Sequence, residues 1–398
     1  MPGGTGAGDA VLGGGTRRRE IRSLTGLRGV AALMVVGVHA TPVLAPDAPG
    51  WLASVLAHGQ VAVDLFFVLS GFVLARAQAG LSRSEVGMFL WRRAWRIYPL
   101  HVAVLGVLAG YVLAAVAGGD RFIAPDFPWS RLLPILLLLQ PFLFHGSTDW
   151  NPPDWSIAVE MLCSLLLWPA LATLRRAGRP RLVAGALALA AAANLAVHGG
   201  ETTGWPAVLR GVCGFGFGMA LARLEARPGA DGADGFDWLA WVRRKCGSGT
   251  GAELAAGGGF LVSVAADVPA ASVVLAGWLV AALSRETGAV SRWLRGRFVM
   301  WLGRVSFSVY LVHVPLLIPF EGGWAWAGGW PWRGAACGAY LVLVAGVAAL
   351  AWRWVERPGR ALAGPAAEAV RIWSAGIARA QEARERRLFP RARRSLSS

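Results

Sequence analysis

Long apolar runs recur along this sequence from Leu27 to Trp352 and constrain its fold more than any other feature. A helix needs about 17–25 residues of this kind to cross the hydrocarbon core of a bilayer. The composition agrees, because 55% of the 398 residues are hydrophobic and only 16% are charged. Since backbone polar groups in lipid must be satisfied within the chain, the sequence predicts an all-α, polytopic membrane helical bundle. The predicted spans are 27–45, 60–79, 98–118, 155–173, 181–199, 205–223, 253–267, 269–284, 298–320 and 334–353.

The positive charges indicate which way these spans run. The formal net charge is +16, and Lys245 is the only lysine, so arginine supplies nearly all of the positive charge. The arginines lie between the spans, which favours the positive-inside pattern over nucleic-acid binding. A further apolar run, 132–145, would place the arginines of 175–181 outside if it crossed the membrane. We therefore predict that 132–145 is a re-entrant segment, with about ten crossings and both termini cytoplasmic.

The chain divides into one membrane domain with two polar ends. Residues 1–26 are Gly-rich and predict a flexible cytoplasmic segment, and 27–358 form the membrane domain. Residues 359–398 form a basic cytoplasmic tail, in which 366–389 shows the apolar spacing of a helix on the membrane surface. A solvated tail is the open alternative. The four cysteines show no CxxC pair, so no disulfide framework or metal site is indicated.

Two ionisable residues share one face of the first span. Arg28 and His39 are eleven residues apart, which is three helical turns plus about 20°, with a separation of about 16 Å along the axis. With Arg28 at the inner edge, His39 is expected near the middle of the membrane. Ionisable residues in a span are costly and are therefore functional candidates. The alternative for His39 is a core histidine bonded to a backbone carbonyl.

Other spans carry polar residues at a similar expected depth. The ninth span places Ser306, Tyr310 and His313 in one stripe, and the fourth places Ser156 and Glu160 on one face. Asp64 lies at the start of the second span. These residues predict a polar pocket in the bundle. Imidazole suits proton transfer near neutral pH, so we expect His39 to act as a general base, with Glu160 or Asp64 as its partner. No GxSxG motif is present, which favours direct attack by an acceptor hydroxyl.

Three arginines, Arg92, Arg93 and Arg96, precede the third span. Guanidinium groups match the geometry of phosphate oxygens, so this segment is a candidate dock for an anionic nucleotide such as coenzyme A. The alternative is a topology signal alone. We assign Ser306, Tyr310 and His313 to donor binding with these arginines. His101, which follows in the third span, receives no catalytic role.

The ordered set of these residues resembles the acyltransferase-3 family of integral membrane O-acyltransferases. The resemblance is carried by Arg28 with His39, 64–72, 93–99, Trp155-Ser156 with Glu160, Ser306 with Tyr310 and His313, and 355–358. It implies about ten membrane helices, acylation of sugars in surface polysaccharides, lipid-linked glycans or secreted glycosides, and a cytoplasmic acyl-CoA donor. It also implies that Arg28 and His39 are essential. Some family members carry an esterase-like domain after the bundle, whereas only a basic tail follows here.

These observations together predict an enzyme of the bacterial inner membrane. It would transfer an acyl group, acetyl first among the candidates, from acyl-CoA to a sugar hydroxyl, with no permanently bound cofactor and no metal. A proton-coupled transporter of glycans or metabolites is the first alternative, because proton relays also use intramembrane histidines and carboxylates. A non-catalytic scaffold in a polysaccharide-assembly complex is the second.

Overall fold

The computed structural model describes residues 20–45, 50–119, 126–144, 150–226, 249–321 and 330–369, and contains no strand within them. Its α-helices are α1 (Arg22–Leu44), α2 (Gly50–Ala57), α3 (Ala62–Ala77), α4 (Val86–Ala117), α5 (Trp129–Leu136), α6 (Gln140–Leu143), α7 (Asp154–Arg176), α8 (Pro180–His198), α9 (Gly204–Ala226), α10 (Thr250–Ala265), α11 (Pro269–Leu283), α12 (Ala289–Leu294), α13 (Arg297–Val312), α14 (Ile318–Glu321) and α15 (Trp330–Ala351). A π-helical turn, Trp352–Glu356, follows α15 and continues as helix to Ala369.

The helices form a multi-pass membrane bundle. Among the described residues, seven helices are long and apolar enough to cross a membrane: α1, α3, α4, α7, α8, α9 and α15. Helices α10 and α11 are apolar but shorter. The all-α membrane bundle is thus confirmed, and each predicted span contains a helix, while the count of ten crossings and the cytoplasmic termini stay predictions.

Several helix ends differ from the predicted spans for identifiable reasons. Helix α1 begins at Arg22 instead of residue 27, and the Glu286 carboxylate accepts a hydrogen bond from the free Ser23 N–H at 2.8 Å. Helix α4 begins at Val86 instead of residue 98, directly after a capping box formed by Ser82 and Glu85, so its arginines are helical and not part of a loop. The ninth span ends at Val312 and not at residue 320. Pro315 follows within one turn and cannot continue the helical hydrogen bonds.

The run at 132–145 does not form one helix. It forms α5 and α6, which have 8 and 4 residues, with a break at Leu138, whose φ is +57°. Each piece is far below the length needed to span a bilayer, in agreement with the prediction that this run does not cross. The predicted surface helix at 366–389 lies almost entirely outside the described residues.

Helices α3 and α9 form the most extensive contact of the bundle. A Cβ atom on Gly71 of α3 would collide with the Phe215 carbonyl group, and one on Gly218 of α9 would collide with the Val68 carbonyl group. Small residues thus let the two backbones approach closely, which is how membrane helices pack without a hydrophobic driving force. This pair forms the centre of the core, with α8 against the other side of α9.

Helices α1 and α13 pack in the same way and run parallel. A Cβ on Gly29 would collide with the backbone of Gly303, and a Cβ on Gly303 would collide with the Thr25 carbonyl group. Ten residues after these two glycines, His39 and His313 meet. Because both helices advance the same distance from one contact to the next, the glycine contact sets the register that joins the two histidines.

Candidate functional site

The two histidines form a direct pair. The His39 Nδ1 atom lies 3.2 Å from His313 Nε2, and the ring centroids are 5.0 Å apart. Each ring also reaches the carbonyl oxygen one turn earlier in its own helix: His39 Nδ1 is 3.1 Å from Val35 O, and His313 Nδ1 is 3.2 Å from Val309 O. His313 is fully buried and His39 is half-buried. Since α1 begins at Arg22, His39 lies only five residues before the end of α1 and not near its middle.

A second polar group, the arginine cluster, lies toward the other end of α1. Its members interact electrostatically with one another: Arg28, Arg93, Arg96 and Arg360 with Glu160 and Glu356. Four guanidinium groups face two carboxylates, so this cluster carries an excess of positive charge. An excess of this kind favours an anionic ligand.

The two carboxylates hold part of the cluster in place. Glu160 forms an ion pair with Arg93 and accepts a hydrogen bond from the Ser70 hydroxyl at 3.0 Å. Glu356 is fully buried in the π-helical turn, forms an ion pair with Arg360 and accepts a hydrogen bond from Ser308 at 2.7 Å. π-Helical turns of this kind are frequent at functional sites.

Two arginines of the cluster keep their donors available. Arg28 and Arg96 are half-buried and make no hydrogen bond or close ion pair with any residue in the described ranges. Arg92, by contrast, is exposed and lies outside the cluster, although it is only four residues from Arg96. The three predicted arginines therefore differ in their surroundings: Arg93 is paired with Glu160, Arg96 makes no hydrogen bond with a described residue, and Arg92 is exposed.

A small cavity of about 50 Å³ extends from the arginine cluster toward the histidines. Arg28, Ser70 and Glu160 line one part of it, and Ser156, Ser306 and Tyr310 line another. The Tyr310 hydroxyl lies 2.7 Å from the Ser156 hydroxyl, and both lie 3.2 Å from the Pro153 carbonyl oxygen. The histidines do not line this cavity, because it ends at Tyr310, whose ring centroid is 6.0 Å from that of His313.

Asp64 does not lie with the histidines. Its carboxylate forms a bidentate ion pair with Arg210 of α9, with both N–O distances at 2.7 Å, and both side chains are buried. The Arg210 guanidinium also stacks on the Trp155 ring at 5.3 Å. The structure therefore brings neither Asp64 nor Glu160 to His39, whose ring partner is His313. An arginine in an apolar span requires a partner, and this was the available sequence signal for the Asp64–Arg210 pair.

A buried network surrounds His101, and no sequence pattern pointed to it. The His101 Nδ1 atom lies 3.4 Å from an Asp154 carboxylate oxygen, and its Nε2 atom lies 3.1 Å from the Ile135 carbonyl oxygen. Asn151 donates to the other Asp154 oxygen at 2.9 Å and to Leu311 O at 3.3 Å. This network joins α4, α5, α7 and α13. Across the part of the chain that the structure describes, no group of three or more His, Cys, Asp or Glu residues could hold a metal ion.

These features describe a membrane helical bundle in which α1 contributes Arg28 to an anion-attracting cluster and His39 to a histidine pair with His313. The family model described as "Acyltransferase domain" matches residues 21–352. The chain therefore belongs to the acyltransferase-3 family and is an acyltransferase, which confirms the resemblance seen in the sequence. This membership favours acyl transfer over the transporter and scaffold interpretations.

Three curated proteins are similar to this chain. "Protein 2 in picA locus" of Rhizobium radiobacter is 33% identical over 187 residues, 43% of this chain and 94% of that protein. "Acyltransferase MdmB" of Streptomyces mycarofaciens is 35% identical over 150 residues, 35% of this chain and 36% of that protein. "Putative membrane-bound transacylase BcsY" of Komagataeibacter xylinus is 25% identical over 354 residues, 86% of this chain and 83% of that protein. No solved structure matches the chain.

Proposed function

We propose that this acyltransferase moves a short acyl group, acetyl in the simplest case, from cytoplasmic acyl-CoA to a hydroxyl of a sugar. The sugar would belong to a surface polysaccharide, a glycolipid or a secreted glycoside, and the enzyme would lie in a bacterial inner membrane. One observation carries the proposal. Arg28 of α1 and Arg96 of α4 have guanidinium groups with no hydrogen-bond partner among the described residues, and α1 also carries His39. The sugar acceptor rests on the family resemblance.

The arginine cluster supports an acyl-CoA donor. Coenzyme A is a polyanion, and guanidinium groups bind phosphate oxygens through paired, charge-assisted hydrogen bonds. Arg93 and Arg360 are neutralised by Glu160 and Glu356, so Arg28 and Arg96 would supply the free donors. Ser306 and Tyr310 would line the path of the acyl group, since both line the cavity next to Arg28.

The size of the cavity supports a short acyl group. Its 50 Å³ would hold about three to five water molecules, since one water needs about 10–15 Å³ on this measure. A group as small as acetyl fits such a space, whereas a long acyl chain does not. Because the cavity ends at Tyr310, the Tyr310 side chain would have to move before an acyl group reaches His39.

His39 would supply the base. Its imidazole removes the proton of the acceptor hydroxyl, while the hydroxyl oxygen attacks the thioester carbonyl carbon. The carbon–sulfur bond then breaks, and the coenzyme A thiolate takes the proton back from His39 to leave as the thiol. The products are an O-acyl sugar and free coenzyme A, and no covalent acyl-enzyme is required.

Two variants that differ by one helical turn test the donor site. Arg96→Gln removes a cluster member, whereas Arg92→Gln removes an exposed arginine outside the cluster. Membrane vesicles containing each variant and the host's glycans would be supplied with radiolabelled acetyl-CoA, and transfer would be followed against donor concentration. We expect Arg96→Gln to raise the KM for acetyl-CoA by about 10- to 100-fold, since a charged hydrogen bond contributes about 1.5–3 kcal/mol.

The Arg92→Gln control separates the effect of the cluster from that of surface charge. Arg92→Gln should leave the KM for acetyl-CoA unchanged. Equal effects of the two variants would show that general surface charge, and not the cluster, attracts the donor. An unchanged KM in Arg96→Gln would remove Arg96 from the donor site.

A further inference from the structure

We infer that His313 is a positioning residue that holds His39 in a single tautomer, with the proton on Nδ1 and the lone pair on Nε2. This inference takes its catalytic meaning from the proposed role of His39 as base. Sequence spacing alone groups His313 with the donor-binding residues, whereas its contacts connect it to His39.

The hydrogen bonds of the pair determine the tautomers. A ring nitrogen can approach a carbonyl oxygen at hydrogen-bond distance only as an N–H donor. His313 Nδ1 lies 3.2 Å from Val309 O, so it carries the proton, and the neutral His313 ring then has a lone pair on Nε2. That lone pair faces His39 Nδ1 at 3.2 Å, and His39 Nδ1 also lies 3.1 Å from Val35 O. Both acceptors therefore require an N–H at His39 Nδ1.

The lone pair of His39 must then lie on Nε2. A neutral imidazole carries one proton, and that proton is shared between Val35 O and His313 Nε2. His39 Nε2 makes no hydrogen bond with any residue of the described ranges, and the side chain is half-buried. It is thus the nitrogen that can accept the proton of an acceptor hydroxyl.

The surroundings of His313 suit a fixed acceptor. Its side chain is fully buried, and its own carbonyl oxygen accepts a hydrogen bond from the Tyr340 hydroxyl of α15 at 2.7 Å. The close backbone contact of Gly29 with Gly303 fixes the register that places the two rings together. A rigid acceptor at His39 Nδ1 performs the task that a carboxylate performs in other histidine bases, without adding a buried negative charge.

Two substitutions of His313 separate this role from a packing role. His313→Ala removes one of the two acceptors at His39 Nδ1 and leaves Val35 O. His313→Gln keeps both, because the glutamine side-chain oxygen can occupy the place of the imidazole Nε2 atom. His198→Ala, at the exposed end of α8, is the matched control. We expect His313→Ala to lower kcat, at most by the roughly 10²- to 10⁴-fold that the loss of a general base costs. His313→Gln should recover part of this loss. The KM for acetyl-CoA should stay unchanged in all three variants.

The spectroscopic measurement does not depend on activity. The chain contains six histidines, and ¹⁵N labelling of their imidazole rings followed by NMR reports which ring nitrogen carries the proton. In the native protein, the His39 signals, assigned through His39→Ala, should show the Nδ1–H tautomer. In His313→Ala only Val35 O remains as acceptor at Nδ1, so the Nε2–H tautomer should appear beside the Nδ1–H tautomer. In His313→Gln the native pattern should return.

The outcomes distinguish this inference from the proposed function. If native His39 shows an Nε2–H tautomer, or if His313→Ala changes neither the tautomer nor kcat, the inference is overturned while acyl transfer by His39 stands. If the native protein transfers no acyl group but the tautomer responds to His313 as described, the proposed function fails and the positioning of His39 is upheld.

Discussion

Replacing Asp64 by asparagine should destabilise the protein without changing kcat per folded molecule. Asp64 and Arg210 are each 1% exposed, and two hydrogen bonds of 2.7 Å join their side chains. The isosteric change Asp64→Asn removes the negative charge and leaves the Arg210 guanidinium uncompensated inside the bundle. Breaking a buried ion pair in this way costs about 3–5 kcal/mol, or about two to four powers of ten in the unfolding equilibrium constant.

The assay is a denaturant titration of purified protein in lipid nanodiscs, with acetyl transfer measured on the folded fraction. A double variant, Asp64→Leu with Arg210→Met, is the matched control, because apolar residues of similar volume often replace a buried ion pair with little or no loss of stability. We expect the single variant to be unstable but normal in kcat per folded molecule, and the double variant to recover most of the stability. If Asp64→Asn keeps native stability and loses transfer, Asp64 belongs to the catalytic machinery and the structural role assigned to it is wrong.

Two further changes test the framework around the site. Gly303→Val should force α1 and α13 apart at Thr25 and lower the unfolding free energy by about 1–3 kcal/mol through overpacking, with loss of transfer. Gly338→Val, where a Cβ meets open space, should be neutral. Equal melting temperatures of the two variants would refute the close packing. Tyr310→Phe removes the hydroxyl that lies 2.7 Å from Ser156 and should lower the unfolding free energy by about 0.5–1.5 kcal/mol, whereas an unchanged denaturation midpoint would contradict the hydrogen bond.

The apolar runs predicted the fold well because the bilayer imposes helix on every span. The charge pattern also indicated that 132–145 does not cross as one helix, and the two short helices α5 and α6 agree. Helix ends were less predictable. The start of α4 at Val86 follows a capping box formed by Ser82 and Glu85, a local signal that the hydropathy-based span did not use.

The candidate site was predictable in its members but not in its pairings. Helical spacing placed Arg28 and His39 on one face, yet it could not show that Asp64 pairs with Arg210 or that Glu160 pairs with Arg93. These pairings depend on which helices are neighbours.

One sequence signal for the histidine pair was present. Gly29 and Gly303 each precede a histidine by ten residues, and two parallel helices in contact at those glycines must bring the histidines to the same level.

The role of His39 as base is tested by mass spectrometry of the surface glycans and secreted glycosides from host cells, with the native protein compared with His39→Ala at equal membrane levels. We expect His39→Ala to remove one acyl mass from a single glycan species and to leave its sugar composition unchanged. If that species remains acylated in cells that carry only His39→Ala, His39 is not the base of the reaction and the proposed mechanism is wrong.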